Sequence, residues 1–387
     1  MGSVKVKNRL CIFSFFDKEG YVDEYVTYLL AELSACVKRL IIVVNGALDE
    51  RGQRLFKQYT QEVYIRDNIG YDAGAYKDVL CNKLSEEDIS FFDEIVLCND
   101  TFFGPFIPLI NIFEQMRSVD CDMWGLNGYF DSIYPHAQSY FLVFRDKIIS
   151  NKLLIDYFEK NVDEKTTNIN HVYCQFENGL YDYMVRQNGM KCAKYIGENH
   201  NYDLYKFSYG YLQELQLPIL KRKVFGYIDE APENAICSLS YIKHSTDYDI
   251  EMVLKCIERI YKIAISSEEI KPMECYKQPK VWTLEVQRKG VSQVEDFIRD
   301  EEFYIYGAGI YGCNTYWRFA RGNDKFCGFI VSDNSKDANT LLFGYPVVKF
   351  SDIGEISSKK VILAMKSEFA EEVLKQFPDV SNVMRIF

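Results

Sequence analysis

EIVLC (94–98) runs straight into NDTFFGP (99–105), an apolar stretch that stops at a polar turn. Ile95 to Cys98 are apolar without a break, which reads as a strand covered on both faces. The pattern repeats upstream. EVYIR (62–66) is a strand followed by the polar segment DNIGYDAGAYKD (67–78), and Leu40 to Val44 is a strand closed by Asn45-Gly46. RLCIFSFF (9–16) is the first of the four. Between strands, Val22, Tyr25, Val26, Leu29, Leu30, Leu33 and Val37 fall on one helical face, and 49–60 and 72–83 also read as helices. Such alternation predicts an α/β fold whose parallel sheet is covered on both sides. Sheets of this kind bind ligands beyond the carboxyl ends of their strands, which is where both polar segments fall.

Downstream, residues 150–225 read as more helical, with aromatic-rich loops and a basic cluster, Lys221-Arg222-Lys223, after Pro218. Residues 249–264 form an amphipathic helical pattern. A polar stretch with Pro272 and Pro279 as breakers reads as a linker over 266–299. EFYIYGAGIYGCNTYWRFA (302–320) then gives strand, G-x-G-x-x-G and helix, with further strands in FCGFIVSDN (326–334) and KVILAM (360–365). The expected organisation is a larger α/β domain over 1–265, the linker, and a small Rossmann-like domain over 300–387.

Composition narrows the function classes. Of 387 residues, 48% are apolar and 26% charged, which is ordinary for a globular chain. The net charge of −11, with no long basic run, argues against nonspecific nucleic-acid binding. Aromatic residues reach 15%; most are expected in the core, although such rings also suit sugar and base faces. The twelve Cys are scattered without a C-x-x-C, and the four His do not cluster with them, which disfavours structural zinc. Reduced, mostly buried thiols are expected. The early apolar run Leu10 to Phe16 is too short to span a bilayer and lacks a small-residue cleavage site. A cytoplasmic location follows as the expectation, with any membrane contact peripheral, at the inner face.

Two segments carry candidate chemistry. Asn99-Asp100-Thr101 offers amide, carboxylate and hydroxyl at the end of a buried strand, suited to a metal, a ribose or a phosphate, or simply to capping the next turn. In the other, Asn68, Gly70, Tyr71, Asp72 and Gly74 form a dense group. Gly70 permits close backbone approach, Asp72 suits a helix cap or a ribose hydroxyl, and Gly74 keeps the helix start slim.

Five ordered blocks together resemble the rhamnan synthesis protein F family: DNIGYDAGAYKDVL (67–80), CNDTFFGPFIPL (98–109), WGLN (124–127), HAQSYFLVF (136–144) and PILKRKVF (218–225). The resemblance covers roughly residues 8–264. It implies a GT-A-like glycosyltransferase of bacterial surface polysaccharide synthesis, with a nucleotide-sugar donor, dTDP-L-rhamnose in namesake members. The acceptor would be an oligosaccharide or a lipid-linked glycan, and the reaction inverting. Asp100 stands where such transferases keep a metal-binding D-x-D, with one carboxylate in place of two. That implies either a weaker Mg²⁺ or Mn²⁺ site or none, with Lys221 and Lys223 then carrying part of the neutralisation of the diphosphate. An inverting transfer needs a base for the acceptor proton. Glu177, expected at a helix start before Gly179, is the first candidate and Asp131 the second. His136, Gln138 and Ser139 are expected near the acceptor, with Gln138 and Ser139 opening a strand.

In the smaller domain, Gly307, Gly309 and Gly312 have the context of a phosphate-cradling turn, and Asp333 lies near the spacing of a ribose-binding acid. The domain is short for a complete dinucleotide fold, so NAD is not expected. Two other readings stay open: a nicotinamide-dependent enzyme acting on a nucleotide sugar, and a non-catalytic glycan-assembly subunit.

Overall fold

Every residue of Arg9–Phe15 (β1) is buried, as a strand flanked on both sides by others requires. The computed structural model describes residues 7–130, 132, 134–197, 203–272, 291–353 and 359–386. The chain divides into two compact units. One comprises Met1–Tyr129, Ala137–Thr167 and Tyr181–Thr283; the other comprises Phe130–His136, Asn168–Leu180 and Leu284–Phe387.

In the first unit β1 pairs in parallel with β2 (Arg39–Asn45) and with β4 (Glu94–Asn99), and β2 pairs in parallel with β3 (Val63–Arg66). Two further strands, β6 (Met123–Gly125) and β7 (Phe141–Arg145), extend the sheet past β4. β7 runs antiparallel to β4 and to β6, and β8 (Cys192–Lys194) closes the far edge parallel to β6. The seven strands lie in the order β8-β6-β7-β4-β1-β2-β3. After β1, the chain adds β2 and β3 on one side, then returns to place β4 on the other. The carboxyl ends of β1 and β4 therefore flank a topological switch point, where sheets of this kind open a crevice. A short pair, β5 (Phe102–Phe103) with β9 (Leu220–Lys221), runs antiparallel beside it.

Helix α1 (Glu24–Cys36) connects β1 to β2 and buries Tyr25, Val26, Leu29, Leu30 and Leu33, the face that the sequence periodicity marks. Helix α2 (Glu50–Phe56) is shorter than expected but begins at a proper cap, Asp49 accepting from the Gly52 amide at 2.5 Å. Helix α3 (Tyr71–Asn82) follows β3. Helix α4 (Ile250–Tyr261) turns Val253, Leu254, Cys256 and Ile257 into the same core as α1. Each fully buried aliphatic side chain contributes about 1.5–3 kcal/mol. At the amino end of β4, buried Glu94 is held by Arg9 at 2.6 Å, Lys7 at 2.8 Å and Arg145 at 3.3 Å. Charge pairing thus closes over the amino end of β4.

The second unit is built on a six-stranded sheet. Its strands are β10 (Phe303–Tyr306), β11 (Phe326–Val331), β12 (Thr340–Leu342), β13 (Tyr345–Lys349), β14 (Lys360–Leu363) and β15 (Val383–Arg385), in the order β12-β13-β11-β10-β14-β15. All neighbours are parallel except β12 with β13. The sequence showed three of these strands; of the others, β12 and β15 have three residues each and β13 carries Pro346, a residue that argues against a strand when read locally. Val291–Ile298, read as linker, is a helix, and its Val294 and Ile298 sit in this unit's core. Within the same unit, residues 169–180 supply continuous helical backbone. There Asn178 and Cys174 both donate to the Asn314 side-chain oxygen, at 2.6 and 2.9 Å.

Candidate functional site

At the carboxyl end of β4, Asn99 and Asp100 point their side chains to different tasks. Asn99 donates its amide to Asp72 Oδ2 at 2.9 Å and accepts from Thr101 Oγ1 at 2.7 Å and from the Thr101 amide at 3.2 Å. The two polar segments singled out in the sequence are thus joined directly, strand end to helix start. Asp72 is not the cap of α3. That position is Gly70 in the left-handed region, and Asp72 lies one residue inside the helix, Oδ1 accepting from the Ala73 amide at 2.9 Å.

Asp100 is 3% exposed at its side chain and faces Arg222, whose guanidinium nitrogen lies 3.2 Å from Oδ2. The Phe16 amide, at the end of β1, donates weakly to Oδ1 at 3.4 Å. Tyr25, from α1, donates to the Asp100 carbonyl at 2.9 Å and accepts from Arg222 at 2.5 Å. Burial raises the Asp100 carboxyl above its ordinary range, and Arg222 opposes that shift. For Arg222 burial disfavours the charge, but Tyr25 and Asp100 more than restore it. The β5–β9 pairing brings these groups together. Lys221 stands opposite Phe102, and the Arg222 amide donates to the Thr101 carbonyl at 3.1 Å. Lys221, itself buried, donates to Thr101 Oγ1 and lies 4.3 Å from the centre of the Tyr140 ring. Tyr140 in turn donates to Asn127 Oδ1 at 2.5 Å.

A second charge cluster lies at the end of β1. Asp17 and Asp23 each accept from Arg259 at 2.6 Å. On β2 and β3, Asn45 bridges Ser14 at 2.9 Å and Arg66 at 2.8 Å, and Arg66 holds Asp78 at 2.5 Å. The carboxyl edge of the sheet is therefore a run of fixed polar groups.

The predicted residues sort as follows. Asp72, Asn99, Asp100 and Lys221 come together. Gly70 and Tyr71, with φ of 67° and 53°, are held by the chain itself: the Gly70 amide donates to Thr166 O at 2.7 Å and the Tyr71 hydroxyl to Thr167 O at 3.0 Å. A Cβ on Gly70 would sit 2.6 Å from Glu164 O, so the backbone that approaches this glycine is the protein's own. Asn68 is half-buried, and a Cβ on Gly74 would lie 2.9 Å from Ile69 O and 3.2 Å from the Arg66 guanidinium. Lys223 is exposed and stacks over Tyr205 and Tyr227, 5.2 and 5.8 Å from their ring centres. Gln138 and Ser139 do not open a strand; they form the turn before β7, with the Gln138 amide donating to Asn127 O at 3.0 Å.

His136 and Glu177 belong to the second unit. Glu177 lies inside helical backbone, not at a helix start, because Gly179 keeps helical dihedrals and the chain runs on through it. Asp131 lies outside the described residues. In the same second unit, a Cβ on Gly312 would fall 1.9 Å from Gly307 O, which explains the third glycine as a packing requirement; one on Gly309 would meet nothing within 4 Å. Asp333 accepts from the Ser351 amide at 3.0 Å. Sequence reasoning missed Arg222, Tyr140 and Tyr25. Arg222 was visible as the middle of a basic triplet, but only the pairing of β9 shows which of the three turns toward Asp100.

Among the described residues no group of three or more His, Cys, Asp or Glu side chains converges, and Asp100 already faces a guanidinium. No helix among the described residues is long and apolar enough to cross a membrane.

The sequence profile described as rhamnan synthesis protein F matches residues 40–283. An uncharacterized protein, y4gN, of Sinorhizobium fredii is 29% identical over 164 residues, 41% of this chain and 42% of that protein. Virulence protein VirA of Vibrio anguillarum is 28% identical over 170 residues, 43% of this chain and 52% of that protein. The matches thus span about half the length of these relatives or less. Among solved structures, the glycosyltransferase GlyE of Streptococcus pneumoniae aligns over 96% of this chain and 99% of its own, at 10% identity and a TM-score of 0.36.

Proposed function

The chain belongs to the rhamnan synthesis protein F family, and from that premise we propose that its first unit is a glycosyltransferase with a nucleotide-sugar donor. The observation that carries the reading is the cationic pair Lys221-Arg222, fixed beside the Asp72–Asn99 hydrogen bond at the carboxyl end of the central strands. Asp72 and Asn99 suit the hydroxyl and amide edges of a nucleoside. Lys221 and Arg222 suit a diphosphate, the group that gathers charge as the sugar departs.

In the transfer, the bond between the anomeric carbon and the β-phosphate oxygen breaks, and its electron pair leaves on the diphosphate. The acceptor hydroxyl oxygen forms the new bond to that carbon and gives its proton to a base. L-Rhamnose on dTDP is the donor we propose, with inversion at the anomeric carbon. A saccharide of the cell surface, free or lipid-linked, is the proposed acceptor, met at the cytoplasmic side of the membrane.

The test is thermal unfolding with dTDP, UDP, GDP, NAD and NADP, followed by a transfer assay with dTDP-L-rhamnose. A shift with one nucleoside diphosphate that is lost in Asn99→Ala and Asp72→Ala supports the reading. A shift with NAD alone would overturn it.

A further inference from the structure

Deepening the transferase reading of this site, and resting on it, we infer that Arg222 is a resident cation occupying the role a divalent metal would otherwise play, so that donor binding needs no metal. The carboxylate at the end of β4 is single, and its side chain is 3% exposed behind a guanidinium that keeps 16% exposure. An incoming diphosphate therefore meets Arg222 before it meets Asp100. Two atoms of the fork are engaged, one nitrogen with Asp100 and one with Tyr25. A guanidinium carries five N–H donors, so others remain for phosphate oxygens, in the planar geometry that suits them.

Asp100 then acts on Arg222, not on the ligand. It holds one guanidinium nitrogen at 3.2 Å, while Tyr25 holds another. The main chain adds to this: the Arg222 amide is bonded to Thr101 O at 3.1 Å, so the residue enters its side chain from a rigid strand pair. Lys221 lies next to it with its ammonium on Thr101 Oγ1. A metal placed on Asp100 would have to displace Arg222 from a buried carboxylate and would face the same positive charge. As the C–O bond to the departing diphosphate breaks, the electron pair settles on a phosphate oxygen beside a cation that is already in place.

The experiment is isothermal titration of the full chain with dTDP and with UDP, in EDTA and again in Mn²⁺. The expected result is the same dissociation constant in both buffers, with Arg222→Lys weakening it by about tenfold, the loss of one well-oriented charged hydrogen bond. Arg222→Gln leaves Asp100 unpaired, so Asp100→Asn/Arg222→Gln is measured beside it; it removes both charges and should also lose the nucleotide while melting cooperatively. Binding only with Mn²⁺ would overturn the inference and leave the transferase reading standing. Equal binding in both buffers that is unchanged in the folded double variant would overturn it as well. Silence from every nucleoside diphosphate in either buffer would remove the transferase reading, and the inference with it.

Discussion

Arg222 and Asp100 make the sharpest residue-scale prediction. Truncating one member of a buried ion pair leaves the other charge uncompensated, at a cost of about 3–5 kcal/mol. Arg222→Met should therefore destabilise by that order in urea unfolding, and Asp100→Asn in the same chain should recover most of it. If the double variant is as unstable as the single one, the pair is not coupled. Asp17 makes a pH prediction. Burial pushes its carboxyl up, but bonds from Arg259 and from the amides of Tyr21 and Glu19 prevail and hold it below its ordinary value of 3.8. A depressed carboxyl stabilises the folded state in full above the unfolded value, and the contribution is lost as pH falls through the folded one. The stability gap between the wild type and Asp17→Asn should be open at pH 7 and close as the pH drops below 3.8. A gap that widened in acid would contradict the pairing. At Gly70, an alanine must hold φ near 67° and push against Glu164 O, strain of roughly 1–3 kcal/mol. Gly70→Ala should lower the melting temperature even without ligand, since the crowding group is the protein's own carbonyl.

Elements carry the next level. Helix α4 was legible from its apolar stripe alone, and the structure seats Ile257 in the core at 0% exposure. Ile257→Ala should cost about 2–5 kcal/mol, measured by denaturant unfolding, because the cavity closes only in part. By contrast, the exposed Ile260 on the same helix should tolerate alanine with little change. The β5–β9 pair was not legible. Each strand has two residues, too few to show alternation, yet their register alone decides that Lys221 meets Thr101 and Arg222 meets Asp100. Residues 169–187 show the same limit in another form. Gly179 in the sequence suggested a helix boundary, whereas helical dihedrals on both sides carry the chain through it.

At the scale of the whole molecule, ligand binding should read out as stability. A nucleoside diphosphate that binds only the folded state, at about 100 times its dissociation constant, adds roughly 2.7 kcal/mol. That shift should appear in the thermal melt with EDTA present, and its absence for every diphosphate would count against the site.

The alternation of buried runs and amphipathic stretches was enough to predict a parallel sheet, because period and turn chemistry are local properties of the chain. It was also enough to place DNIGYDAGAYKD and NDTFFGP beyond the carboxyl ends of strands. Which side chains within them meet was decided only by the tertiary structure. Asp72 and Asn99 are 27 residues apart, and Thr101 and Lys221 are 120 apart. Contacts across such separations depend on strand order, and on a register that two-residue strands are too short to specify by their own pattern. The choice of Arg222 over Lys223 was made the same way: a residue's neighbours in sequence do not say which of three cations the fold turns inward.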